Sequence, residues 1–214
     1  MFKSIYKGAI FFIVVTLFSF NTNTNDWKLA YNSSDINVYT RNSAEGLSEF
    51  KGITTINAPL EQVVALIDNA KNQADFVHGV KRSELIKEIT PTQKVVYSEV
   101  EMPWPLDNRD IVSKTEASFD KTNKTAIIKM YADPDYVSEK DGLVRMKTAR
   151  GFWKFTEIGE NKTDVTYQFV SDPEGLPAWI VSMFIVDAPK ETLLKMKELE
   201  DKLKIAKEKV SWIK

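Results

Sequence analysis

Side chains that commonly do chemistry are scarce in this sequence. It has one histidine, His78, between Val77 and Gly79, and no cysteine. Thiolate zinc sites, cysteine nucleophiles, disulfides and histidine dyads are therefore excluded. There is no glycine-rich phosphate loop and no nucleophile elbow. Carboxylates are plentiful, yet none falls in a pattern that singles out an acid/base pair. The stretch "DPDYVSEKD" (133–141) departs from the spacing of an EF-hand loop and reads as a solvated turn. His78 itself reads as a surface or loop-packed imidazole. Together these features predict a non-catalytic protein with no cofactor and no metal.

One charged residue asks for an explanation. In "PWPLDNRDIVS" (103–113), Arg109 enters a predicted strand. Alternation places it on one face with Ile111, Ser113, Thr115 and Ala117, and places Asp110, Val112, Lys114 and Glu116 on the other. The first face is the drier, and an arginine there needs a partner, because an unpaired buried charge is costly. On the preceding strand Val96, Ser98, Val100 and Met102 form the inner face, which turns Glu99 and Glu101 outward and supplies no obvious carboxylate. Two readings stand: Arg109 orients a ligand, or it fixes the strand through protein groups. Trp104, held between Pro103 and Pro105, either packs at a sheet edge, lines a pocket mouth or touches a membrane surface.

These residues need a frame, and the composition supplies one domain's worth of it. The chain has 214 residues, with 29 Lys plus Arg against 30 Asp plus Glu, so no overall field favours nucleic acid. Residues 1–24 have the grammar of an export signal: Lys3 and Lys7, an apolar run over 8–20, then an Asn/Thr stretch. That run is short of the ~20 residues a bilayer span takes. No clean cleavage site follows it. A cleaved signal makes the protein periplasmic or secreted, and an uncleaved one leaves it membrane-anchored by residues 8–20. Residues 25–214 form the folded domain.

Within that domain "INVYTR" and "SEFKGITTIN" read as paired strands, and "NAPLEQVVALIDNA" as a helix with Asn57 as N-cap and Leu60, Val63, Val64 and Ile67 on one face. From residue 81 strands follow one another: "RSELIKEI", "KVVYSEVEM", "RDIVSKTEASF", "KTAIIKMYA", "GLVRMKTARGFWKFTEI" and "TDVTYQFVSD". Short connections predict an antiparallel meander, eight or nine strands in all. After "DPEGLPAW", where Gly175 reads as a rigid turn or a hinge, "WIVSMFIV" is apolar nearly all round, a pattern of burial on every side. Asp187 and Pro189 cap or kink it. Leu193, Met196, Leu199, Leu203, Ala206 and Val210 then make one stripe on a long helix. The fold class is α+β, a curved sheet wrapped around a C-terminal helix.

The blocks "WKLAYNSSDINVYTR", "EFKGITTINAPLEQVVALI", "PWPLDNRDIVS", "GFWKFTEIGENKTDVTYQFVSDPEGLPAWIV" and "DAPKETLLKMKEL" resemble, in their order and spacing, the START family of lipid-transfer domains with its helix-grip fold. The resemblance covers residues 26–205. It implies a tunnel between sheet and helix that binds a lipid, sterol or other hydrophobic ligand, with transient membrane contact, in a monomer. It also implies that Arg109 faces the cavity, since an Arg-Asp pair opening this strand is a family hallmark. The candidate ligand-binding residues are Met102, Trp104, Arg109, Ile111, Met130, Trp153, Phe155, Trp179, Met183 and Phe184. Trp153 and Phe155 are assigned inward because Lys154 between them belongs outside. Tyr131 and Tyr167 read as packing residues. The alternatives are a cyclase-like enzyme on the same fold, which needs convergent acid/base groups in the cavity, and an interaction protein whose core is filled. Periodicity does not distinguish a hollow grip from a solid one; a void of about 300 Å³ or more would be pocket-sized.

Overall fold

The computed structural model describes residues 26–172 and 175–214. The predicted signal or anchor, residues 1–24, lies outside the described residues. Among the described residues, ten strands form one sheet. They are β1 (Lys28–Asn32), β2 (Ile36–Asn42), β3 (Ser48–Ile56), β4 (Val80–Thr90), β5 (Gln93–Val100), β6 (Asn108–Asp120), β7 (Thr125–Ala132), β8 (Leu143–Arg145), β9 (Ala149–Gly159) and β10 (Lys162–Ser171). The spatial order is β1-β2-β3-β10-β9-β7-β6-β5-β4. The meander is therefore spliced onto the N-terminal strands through β3 and β10, in register at Phe50 and Phe169.

The segment expected to be one strand from Gly142 to Ile158 is two. Its first part, β8, leaves the meander and pairs parallel to β6, matching Val144 with Arg109. At one edge, β4 shifts register three times along β5. Such bulges bend a strand and increase its twist, and together with Lys81, Arg82, Lys87 and Glu88 they keep this edge from recruiting another strand.

Helix α1 (Leu60–Asp68) buries Leu60, Val63, Val64 and Ile67, as the spacing predicts. Its N-cap position is held by Pro59, not Asn57. Asn57 instead donates from its backbone and its side chain to Glu200, at 3.1 and 2.9 Å. A 3-10 turn at 70–72 leads into the short α2 (Gln73–Phe76).

The predicted cap at Asp187 and Pro189 does not end the helix there. Helix α3 (Ala178–Glu198) runs through Pro189, and α4 (Glu200–Ile205) follows. A proline inside a helix forfeits one backbone hydrogen bond. Here the ring is buried against β3 near Gly52. A Cβ on Gly52 of β3 would sit 2.8 Å from Leu193 Cδ1 and 3.2 Å from Pro189 Cβ, so glycine is what permits that approach. Leu193, Met196 and Leu203 of the predicted stripe are buried. Val210 is buried too, but in a non-helical tail that folds back on α1, where its N–H donates to Glu61 Oε1 and Gln62 exchanges two hydrogen bonds with Glu208. Ile36, Val38, Ile56, Val63, Val64, Phe155, Val165, Leu193 and Met196 pack into a solid core. The grip is filled at that end.

Candidate ligand-binding cavity

The other end is hollow. A cavity of about 210 Å³ lies among β5, β6, β9, β10, α2 and the N-terminal half of α3. Its lining is mostly apolar, with Phe50, Phe76, Val100, Ile111, Met130, Trp153, Phe169, Val181, Phe184 and Ile185 contributing. A second recess of about 430 Å³, between α1, β4 and the C-terminal tail, mixes Asp68, Lys71, Lys94, Glu208 and Lys209 with Leu66, Leu85, Leu203 and Val210, so its wall is far more charged than that of the first. The apolar cavity is the site that suits a greasy ligand.

Strand β6 supplies its polar wall. Arg109, Ile111, Ser113 and Thr115 all line the cavity, as their shared face requires. Arg109 is 5% exposed, and its Nη1 donates to the Asp107 carbonyl. Asp110, on the opposite face, is equally buried. Arg145 grips it with two hydrogen bonds, Nε to Oδ1 at 2.8 Å and Nη2 to Oδ2 at 3.0 Å. The remaining guanidinium hydrogens reach the carbonyls of Pro134, Val137 and Ser138. The Asp110 hydrogen bond holds the Arg145 guanidinium above its ordinary value. This pair clamps the 133–142 segment across the convex side of the sheet, over Val95, Tyr97 and Val112. Burial, with Asp110 and Glu99 nearby, pushes the Tyr97 hydroxyl up to about 12. The acidic turn is solvated at Asp135 and over 138–141, as read, and its backbone carbonyls also fasten it to the outer face.

Strands β9 and β10 build the aromatic floor. Trp153 stacks on Tyr167 with centroids 3.9 Å apart, and Phe50 meets Tyr167 edge-on at 4.9 Å. Burial pushes the Tyr167 phenol above its ordinary value and keeps it neutral. Helix α3 roofs the space with Val181, Phe184, Ile185 and Ala188, spaced three and four apart on one face.

This architecture is shared. A crystal structure of a STAR-related lipid transfer protein from Xanthomonas axonopodis superposes with a TM-score of 0.74 and 30% identity, over 82% of this chain and 98% of that one. The chain belongs to the START family. No family model matches its sequence, so the assignment rests on such relatives. An uncharacterized protein of Pseudomonas aeruginosa is 32% identical over 186 residues, 85% of this chain and 90% of its own length. Mouse phosphatidylcholine transfer protein is 25% identical over 166 residues, covering 73% of this chain and 75% of that protein.

Of the candidate residues in this START domain, Met102, Arg109, Ile111, Met130, Trp153 and Phe184 line the cavity. Four do not. Phe155 points inward beside Trp153 but is fully buried in the solid end, where Ala126 and Val165 flank it. Trp179 and Met183 lie on the outer side of α3, 66% and 41% exposed, so the roof helix is not buried all round. Trp104 is 93% exposed on the 101–107 turn. Sequence reasoning missed Phe50 and Phe169 and read Tyr167 as a packing residue, although alternation in "TDVTYQFVSD" aligns Tyr167, Phe169 and Ser171 on the cavity face. It also missed His78, whose ring centroid lies 6.3 Å from that of Phe184 and whose backbone N–H donates to Thr192 Oγ1 at 3.0 Å. Gly79, at φ +78°, makes the turn that brings His78 to the cavity.

Proposed function

We propose that this START domain binds one lipid or similar hydrophobic molecule in its cavity and transfers it without chemical change. The observation that carries the reading is a grip left empty at one end, lined by apolar side chains and by the buried Arg109. The relatives named as lipid transfer proteins point the same way. The volume narrows the ligand. At about 210 Å³ the cavity is smaller than the ~300 Å³ lower bound of drug-sized pockets. In this conformation it takes a single acyl chain or a compact ring system, with the rest of the molecule outside or the roof displaced. Met102, Arg109, Ile111, Met130, Trp153 and Phe184 are the proposed contacts. Trp104, Trp179 and Met183 are proposed to touch the membrane during exchange, because indole rings favour the bilayer interface. Residues 1–24 are proposed to direct a monomeric domain out of the cytoplasm, as a removed signal or as an anchor. Native mass spectrometry of the protein from its own cells tests the central reading. A co-purifying lipid, or uptake of labelled fatty acids or sterols, is expected. Neither appearing refutes it.

A further inference from the structure

The cavity has a second polar station besides Arg109. Gln73 opens α2 and lines the cavity. Its side-chain oxygen lies 3.3 Å from Ser83 Oγ and 3.4 Å from Ser98 Oγ, and the two hydroxyls are 3.1 Å apart. Both serines are buried, at 8% and 6% exposure, and they face each other across the β4–β5 register. Two hydroxyl protons serve these three contacts, so two are hydrogen bonds at a time, and every such arrangement gives the amide oxygen at least one donor and ties it to the wall. The amide nitrogen is different: among the described residues it donates to no protein acceptor. Gln73 is half-buried, and the lining of the cavity it borders is mostly apolar. A polar donor in such a setting calls for an acceptor from whatever occupies the space.

We infer that the Gln73 amide, held by Ser83 and Ser98, binds a neutral oxygen of the ligand, either a hydroxyl or an ester or amide carbonyl. The site is uncharged on every side named, so it selects for neutral oxygen and leaves anions to Arg109. A hydroxyl fits best, since it accepts from the amide and would equally donate to it if the amide were turned over. The inference rests on the lipid-binding reading and specifies which lipids suit it: those with a neutral polar group beside the chain.

The test uses four probes with the same chain: dodecane, 1-dodecanol, methyl dodecanoate and dodecanoate. Binding of each to the full chain is measured by equilibrium partition of the labelled compound. The wild type is expected to prefer dodecanol and the methyl ester to dodecane. Gln73→Leu is expected to weaken those two by roughly three- to tenfold, the worth of one hydrogen bond, while dodecane and dodecanoate keep their affinities. Ser83→Ala, at a position that does not line the cavity, is expected to give a smaller loss with the same pattern, which marks a positioning residue. Gln73→Met, matched in length, guards against a folding artefact, and thermal unfolding is followed for all three variants. An equal change for every probe, or no change for any, overturns the inference and leaves lipid binding standing. Failure of the wild type to bind any probe overturns both.

Discussion

If the grip is hollow, a large side chain added to its wall should displace ligand without damaging the fold. Ser113 of β6 is a suitable position, because it lines the cavity and is only partly buried. Ser113→Phe adds a phenyl ring. Cavities of about 150 Å³ take up benzene, and this one measures about 210 Å³. If the ring occupies about half the void, about 105 Å³, recovered packing at about 24 cal/mol per Å³ comes to about 2.5 kcal/mol. Imperfect fit costs ~1–3 kcal/mol. The net change in unfolding free energy should fall between a gain of about 1.5 and a loss of about 0.5 kcal/mol. For the ligand, losing room for two methylenes at ~0.8 kcal/mol each is about 1.6 kcal/mol, more than a tenfold loss of affinity. Urea unfolding of the ligand-free protein gives the first quantity, and titration with a fluorescent fatty acid gives the second. In a filled core the same substitution would only overpack. Destabilisation beyond about 3 kcal/mol, or fatty-acid uptake unchanged from wild type, would show the reasoning to be wrong.

Three further outcomes are expected. Asp110→Ala strands the buried Arg145 guanidinium and should cost about 3–5 kcal/mol in urea unfolding, whereas Asp110→Leu combined with Arg145→Met should recover most of that loss. Burial of Glu200 opposes its ionisation, but hydrogen bonds from Lys197 and Asn57 outweigh it and hold the carboxyl below the ordinary glutamate value. Its contribution to stability is therefore complete at neutral pH and drains away as pH falls through the usual glutamate range toward the lowered folded value, so Glu200→Gln should be less stable at pH 7 and should flatten the acid limb of stability against pH. Trp104→Ser and Trp179→Ser should leave unfolding within about 0.5 kcal/mol of wild type, because both rings are exposed, while reducing co-sedimentation with phospholipid vesicles.

The parts of the fold that were legible in the sequence are those governed by short periods. Alternation along "RDIVSKTEASF" put Arg109, Ile111, Ser113 and Thr115 on the cavity face, and the same logic turned Trp153 inward and Lys154 outward. Legibility stopped where a long-range partner decides. Asp110 is answered by Arg145, 35 positions later and on a parallel strand that no local pattern announces. Trp153 and Phe155 share a face, yet only the placement of α1 and the C-terminal half of α3 determines that one borders empty space and the other does not. The same holds for α3: with apolar residues nearly all round, its sequence does not say that Val181 and Phe184 face in while Trp179 and Met183 face out. Trp104 sits in a turn, where there is no period to read.

The neighbours Arg109 and Asp110 give β6 two independent duties, one toward the interior and one toward the back of the sheet. The carboxylate that fastens the outer segment does not share a surface with the cation inside, so the Asp110–Arg145 clamp does not pass through Arg109. On the proposed reading that Arg109 meets the ligand, exchanging it for a neutral residue would retune what the cavity accepts while the Asp110–Arg145 pair keeps the back wall bolted. A redesigned carrier for a different headgroup can therefore begin with a single codon.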